Sequence, residues 1–333
     1  MPVFPLRARS GAALAGAAVV ALAAGGCSGG SAPGDDKLKV VATTNVWASV
    51  ARAVAGPDVE VESIIEDPAA DPHSYESSPQ DAAKLSDADL VVLNGGGYDE
   101  FAEQSLSSSG QAKPTVEAVA GEHEGHAEPP KPDEHGGHEG HEHGGAPEGG
   151  EHAGHDHSVN EHVWYDLHVV HETADKVAAE LGRLRPQQAQ QFRDNAARFE
   201  QQVDALGGKV DQIAAAQRGK KVIVTEPVAH YLVERAGLTD ITPPSFVNAV
   251  EAENDPAAAA IAEIQNAVRS GQAAAVLYNP QTESPVTRSV REAAQAQRTP
   301  VVQMTETLPQ DQDYLPWMDG QITALQQALA AHP

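Results

Sequence analysis

Short apolar runs rich in β-branched residues alternate along the chain with segments of helical periodicity. Lys37-Leu-Lys-Val-Val-Ala-Thr-Thr44 reads as a first buried strand, with a helical stretch starting at Val46. Val59-Glu-Val-Glu-Ser-Ile-Ile65 alternates and then turns apolar, and Leu90-Val-Val-Leu-Asn94 ends against Gly95-Gly96-Gly97. Strands separated by helices predict a mainly parallel sheet. The same pattern returns late in the chain. Lys221-Val-Ile-Val-Thr225, Ala274-Ala-Val-Leu-Tyr278 and Pro300-Val-Val-Gln-Met304 read as strands, with helices expected over 255–269, 285–297 and 313–331. The expectation is an α/β protein with two strand–helix lobes.

Between the lobes, Phe192, Ala196, Phe199, Val203, Leu206, Val210 and Ile213 follow one another at spacings of four and three, the stripe of an amphipathic helix. A helix over 187–216 would be about 45 Å long at 1.5 Å per residue. Gly207-Gly208 is the place where it would weaken. The expected division is an N-terminal lobe over 37–185, a linking helix over 186–217 and a C-terminal lobe over 218–333. A single long helix between lobes argues against large hinge closure.

Ahead of the body, Arg7 and Arg9 precede an apolar run from Ala12 to Ala24, followed by Gly25-Gly26-Cys27. This has the three-part form of a secretory signal, too short for a comfortable membrane span. The only cysteine of the chain stands where a bacterial lipobox would place it. Residues 1–26 are therefore expected to be removed, Cys27 to carry lipid, and residues 27–36 to act as a flexible tether holding the protein to the outer face of the cell membrane.

Composition narrows the partners. With 22 Lys and Arg against 48 Asp and Glu among 333 residues, the net charge is −26, and there is no basic stripe to neutralise phosphates, which excludes nucleic acid. A single cysteine excludes an intramolecular disulfide and a cysteine-built zinc ribbon. Aromatic residues are 4% of the chain, so the core must be Ala, Val, Leu and Ile.

Residues 121–157 stand apart. They hold nine of the fifteen histidines (His123, His126, His135, His138, His141, His143, His152, His155 and His157), ten glycines and ten acids, and no aliphatic side chain larger than alanine. Such a segment cannot offset the entropy of ordering and is not expected to pack. Neutral imidazoles beside carboxylates make it a weak, many-sited collector of divalent metal.

Few histidines remain in the body. His73 lies in Asp71-Pro-His-Ser-Tyr-Glu76, just after the second strand, and His162 lies in Glu161-His-Val-Trp-Tyr-Asp166, where order is expected to resume. Asp166 is placed to hold a ring nitrogen of His162 and fix its tautomer. Taken singly, each histidine is more often a surface or capping residue than a ligand.

These two segments, together with Asn94-Gly-Gly-Gly-Tyr-Asp-Glu-Phe101, the linking stripe and Glu251-Ala-Glu-Asn-Asp-Pro256, resemble in sequence and order the cluster A-I (family 9) metal-binding lipoproteins. Those are the solute-binding subunits of zinc and manganese ABC importers, and the likeness runs from about Val40 to Leu329. It implies two α/β lobes bridged by one helix, with a metal in the interlobe cleft. The zinc branch commonly carries a His- and acid-rich insertion before its second ligand, where the present one sits. The resemblance gives His73 and His162 as the first two ligands. Its third falls on Glu226 in Thr225-Glu-Pro227, counting back from Tyr231-Leu232, with His230 as the rival. Its fourth is an acid after the next strand, for which Glu283 is the only carboxylate in Tyr278-Asn-Pro-Gln-Thr-Glu-Ser284. His168 and His171, on a helix start, are lesser candidates.

The resemblance implies a monomeric, non-enzymatic protein that captures Zn(II), with Mn(II) as the alternative cargo, and delivers it to an ABC permease and its cytoplasmic ATPase. An extracellular zinc buffer or adhesin is the competing non-transport role. A metallohydrolase is disfavoured: no HExxH motif, nucleophile elbow or phosphate-binding loop is present.

Overall fold

In the computed structural model, which describes residues 37–110, 112–119, 160–252 and 254–331, eight strands and ten helices alternate. The first part runs β1 (Leu38–Thr44), α1 (Asn45–Ala55), β2 (Val59–Ile65), α2 (Pro79–Asp87), β3 (Leu90–Leu93), α3 (Glu100–Ser109), β4 (Thr115–Glu117) and α4 (Leu167–Leu184). Next comes α5 (Ala189–Gln217). The second part runs β5 (Lys221–Val224), α6 (His230–Arg235), β6 (Thr239–Asp240), α7 (Pro244–Glu251), α8 (Ala258–Arg269), β7 (Ala275–Tyr278), α9 (Pro285–Ala296), β8 (Val301–Gln303) and α10 (Tyr314–Ala331). The signal segment, Cys27, the tether and all nine histidines of the insertion lie outside the described residues.

Each part holds a four-stranded sheet with every pairing parallel, in the orders β2-β1-β3-β4 and β6-β5-β7-β8. The two orders are the same. In each, the chain leaves the central strand to one side and returns to the other, which opens a crevice at the carboxyl ends of β1 and β3 and of β5 and β7. Strands covered on both faces read as continuous apolar runs, and β3 and β7 are buried at all four positions. β4 and β6, at the sheet edges, have only three and two residues and lack the length that makes a strand stand out in sequence.

Local chemistry sets the helix starts. Ser78 caps α2 in a reciprocal box with Asp81, and Ser284 caps α9 in the same way with Thr287, each followed by proline at the first helical position. In α5 all seven residues of the amphipathic stripe are buried. The helix does not break at the glycine pair. A Cβ on Gly207 would meet the Arg235 guanidinium at 2.6 Å, so glycine admits Arg235, which also pairs with Asp211 at 3.2 Å. Helix α5 packs on α1, α4, α6 and α10 and so touches elements from both parts.

The described residues form one compact unit. Specific bonds join its halves: Asn45 and Leu308 exchange side-chain and backbone hydrogen bonds of 3.1 and 2.9 Å, and Tyr314 Oη donates to Trp164 O at 2.8 Å. Gln281 Nε2 donates to Ala70 O at 2.8 Å. Among the described residues no helix is long and apolar enough to cross a membrane.

Candidate metal centre

The strand ends of both sheets converge on one group of side chains. His73 follows β2, and its backbone N–H donates to Asp71 Oδ1 at 3.0 Å, which fixes the Asp-Pro-His turn. His162 is anchored by Asn160, whose Oδ1 accepts from the His162 backbone N–H at 2.9 Å and faces ring Nδ1 at 3.0 Å. An amide oxygen only accepts, so Nδ1 carries the proton and Nε2 keeps its lone pair. That Nε2 lies 3.4 Å from Nε2 of His73. Tyr98 packs edge-on against His73 with ring centroids 4.9 Å apart.

The second part contributes carboxylates. Glu306 comes three residues after the end of β8 and its side chain is 1% exposed. Its Oε2 lies 3.2 Å from His73 Nε2 and 3.9 Å from His162 Nε2, and accepts from Tyr98 Oη at 2.9 Å. Glu226, at the end of β5, is buried as well. Asn279, just past β7, donates through one amide nitrogen to Glu306 Oε1 at 2.8 Å and to Glu226 Oε2 at 2.7 Å, holding the two carboxylates side by side. The Thr282 hydroxyl donates to the other Glu226 oxygen.

Three atoms, two imidazole Nε2 and one carboxylate oxygen, therefore stand 3.2–3.9 Å apart. Ligands at 2.0–2.2 Å from a tetrahedral zinc would be roughly 3.3–3.6 Å apart. The arrangement matches the edge length of a metal's coordination shell, and both imidazoles turn Nε2 toward the same point.

The electrostatics follow from crowding. Burial alone lowers the His73 pKa, but the hydrogen bond and charge of Glu306, with Glu251 and Glu161 beyond, outweigh it and hold it at about 10. His162 is pushed down to about 4, by burial above all and by the neighbouring His73 charge. Burial, then the charge of Glu306, raises Glu226 to about 7. Burial, then the charge of Glu161, raises Glu251 to about 8. A cation delivered here would relieve a real excess of negative charge.

The group opens outward through His73, whose side chain keeps 22% of its surface exposed. A cavity of about 220 Å³ lies there, lined by Asp71, His73, Glu226, Glu251, Asp255 and Thr282 among others. His73, Glu161 and Glu251 offer ligand atoms within 4.8 Å of one another.

The periplasmic zinc-uptake component A family, that of ZnuA, matches residues 40–328 of this chain. The chain belongs to this family. The manganese-binding lipoprotein MntA of Bacillus subtilis is 27% identical over 203 residues, 60% of this chain and 58% of that one. The zinc-binding lipoprotein AdcA of Streptococcus pneumoniae is 25% identical over 303 residues, 88% of this chain and 56% of that one. The chain thus spans a little over half the length of these curated relatives. In fold it is similar to the SBP FpvC of Pseudomonas aeruginosa in complex with nickel, with TM-score 0.65, 18% identity, and 89% of this chain and 98% of that one covered. A crystal structure of ZnuA gives TM-score 0.63 and 19% identity, covering 89% of this chain and 99% of that one.

Set beside this zinc-uptake family member, the sequence expectations divide. The structure brings His73 and His162 together and places Glu226 one amide away. The expectation for Glu283 is corrected: Tyr278 Oη donates to its carboxylate, and Arg288 Nε and Arg291 Nη1 hold it at 2.7 and 2.6 Å, at the start of α9. Glu306, not Glu283, is the carboxylate that lies beside the two imidazoles. A signal for it exists in the sequence: Glu306 follows the last strand of the chain, and in open α/β sheets ligands gather past the carboxyl ends of strands.

The expectation for Asp166 is also corrected. Its Oδ1 accepts from the His168 backbone N–H at 2.9 Å as the cap of α4, and Asn160 holds the His162 ring instead. His230 is not part of the group: it begins α6, is half exposed and faces Glu234 at 3.8 Å. His168 is exposed, 3.2 Å from Glu172, and His171 faces Glu200, both away from the cleft group.

Proposed function

We propose that this chain is the extracytoplasmic solute-binding component of a metal ABC importer, with Zn(II) as cargo held by His73, His162, Glu306 and Glu226. The observation that supports this reading is the convergence of both Nε2 atoms and Glu306 Oε2 at the spacing of a coordination shell. Two imidazoles and two carboxylates suit zinc, while the oxygen donors leave room for manganese. Two carboxylates match the charge of a divalent ion, and four protein donors leave no position reserved for a catalytic water. The chemistry is capture and release.

Asn279 and Asn160 act as positioning residues. The first aligns the carboxylates, and the second keeps the free lone pair of His162 aimed inward. Residues 121–157 raise the local metal concentration, and the acidic cavity beside His73 draws the ion in. A permease with its cytoplasmic ATPase receives the metal, and Cys27 tethers the protein to the membrane by lipid. The bonds that tie the halves together, such as Asn45 with Leu308, favour small local adjustments over a wide hinge closure.

Calorimetric titration of the full chain with zinc and with manganese tests the reading. One tight zinc equivalent is expected above any weaker ones, with manganese bound less tightly. Absence of a tight equivalent for either metal would remove the capture role. A tight manganese site with weak zinc would change the cargo.

A further inference from the structure

Away from the cleft, helices α4 and α5 bring together a second set of metal-ligating groups. His171 and Asp175 are four residues apart on α4 and so share a face, and Glu200 meets them from α5. One ligand atom of each lies within 4.8 Å of the other two. His171 Nε2 stands 3.5 Å from Glu200 Oε2, and the two side chains are 35% and 14% exposed. The remaining Glu200 oxygen, Oε1, is buried without a donor among the described residues, and the Asp175 carboxylate lies within hydrogen-bond reach of the Glu200 carboxylate. Burial, then the adjoining Asp175 carboxylate, raises the Glu200 pKa, and Asp204 adds to the effect while His171 opposes it. Helix packing has thus crowded carboxylates against one imidazole and left a buried lone pair without a donor.

We propose that His171, Asp175 and Glu200 bind a second divalent cation, bridging α4 and α5. One imidazole and two carboxylates form a mixed donor set suited to zinc and also to manganese or cobalt. A cation among these atoms gives Glu200 Oε1 its missing partner and offsets the repulsion between Asp175, Glu200 and Asp204. Three protein donors leave a coordination position for water. The exposure of His171 and Asp175 makes this the weaker of the two ordered sites. None of its residues belongs to the His73 group, so the site stands or falls independently of the cargo assignment.

The experiment is zinc calorimetry on the full chain and on H171A and E200Q, each alone. Equivalents contributed by residues 121–157 are common to all three and cancel in the difference. Each variant is expected to lose one weaker equivalent and to retain the tight one unchanged. Zinc-edge anomalous density from crystals of the full chain is expected between His171 Nε2 and the Asp175 and Glu200 carboxylates, and absent in E200Q. An unchanged number of equivalents in both variants overturns the proposal, as does density that persists in E200Q. Loss of the tight equivalent together with the weak one also overturns it, since the site would then not be separate. If E200Q fails to fold, H171A decides.

Discussion

The two sheets repeat one strand order, yet they arm their carboxyl ends with different chemistry. The first places imidazoles after β2 and beyond β4, and the second places carboxylates after β5 and β8. The same asymmetry recurs within the first half. His73 and His162 have their Nε2 atoms 3.4 Å apart but are held at about 10 and about 4. The exposed histidine faces the acids and keeps a proton; the buried one keeps a lone pair. Topology therefore supplies the meeting point, and the residue after each strand decides what can be bound there.

The sharpest way to break this contrast is to neutralise the second half. Glu306→Gln is expected to weaken zinc binding by more than about 100-fold, beyond the range seen for residues that only orient ligands. Glu283→Gln should leave the affinity within about twofold, since its partners lie at the start of α9. Competition against a chelator of known affinity reads both, and an equal loss in the two variants would return Glu283 to the site.

A smaller effect is expected from the positioning amides. Asn279→Ala and Asn160→Ala should each weaken zinc binding by about 10–100-fold, because the ligands remain but lose their orientation. The two differ in kind, which sharpens the comparison: Asn279→Ala loosens carboxylates, and Asn160→Ala frees the His162 tautomer. Proton NMR of the His162 ring in the metal-free protein should change only for the second.

Proton release separates the halves further. His73 at about 10 carries a proton at neutral pH that a bound metal must displace, and Glu226 at about 7 carries one about half the time. Zinc binding near pH 7 is expected to release roughly one to two protons. Affinity should therefore fall as pH is lowered, because protons compete for the same lone pairs. Calorimetry in buffers of differing ionisation enthalpy measures the count, and a value near zero would mean that the ion does not bind at His73. The smallest effect concerns the helix between the halves: Gly208 has open space around it, so Gly208→Ala should raise stability by about 0.5–1 kcal/mol, read as a higher Tm.

The long buried strands, the seven-residue stripe of α5 and the helix over 285–297 were legible because each is a local pattern, repeated or bounded within about 30 residues. Likewise, Asp71-Pro-His73 and His162 announced themselves as scarce histidines at strand or segment ends. Short edge strands such as β4 and β6 have no such signal, since two or three residues show no period. Gly207 looked like a weakness and proved to be the seat of Arg235, a contact made from 28 positions away.

The sequence by itself determined the alternation of strands and helices and the α/β class, because hydrophobic period is a property of the chain alone, and its family resemblance pointed to His73 and His162. Tertiary structure decided between Glu283 and Glu306 and between Asp166 and Asn160. The members of each pair are chemically equivalent or nearly so. Only folding reveals that arginines claim one carboxylate and a helix terminus claims the other, while Tyr98 and Asn279, from different halves, hold Glu306 against the histidines.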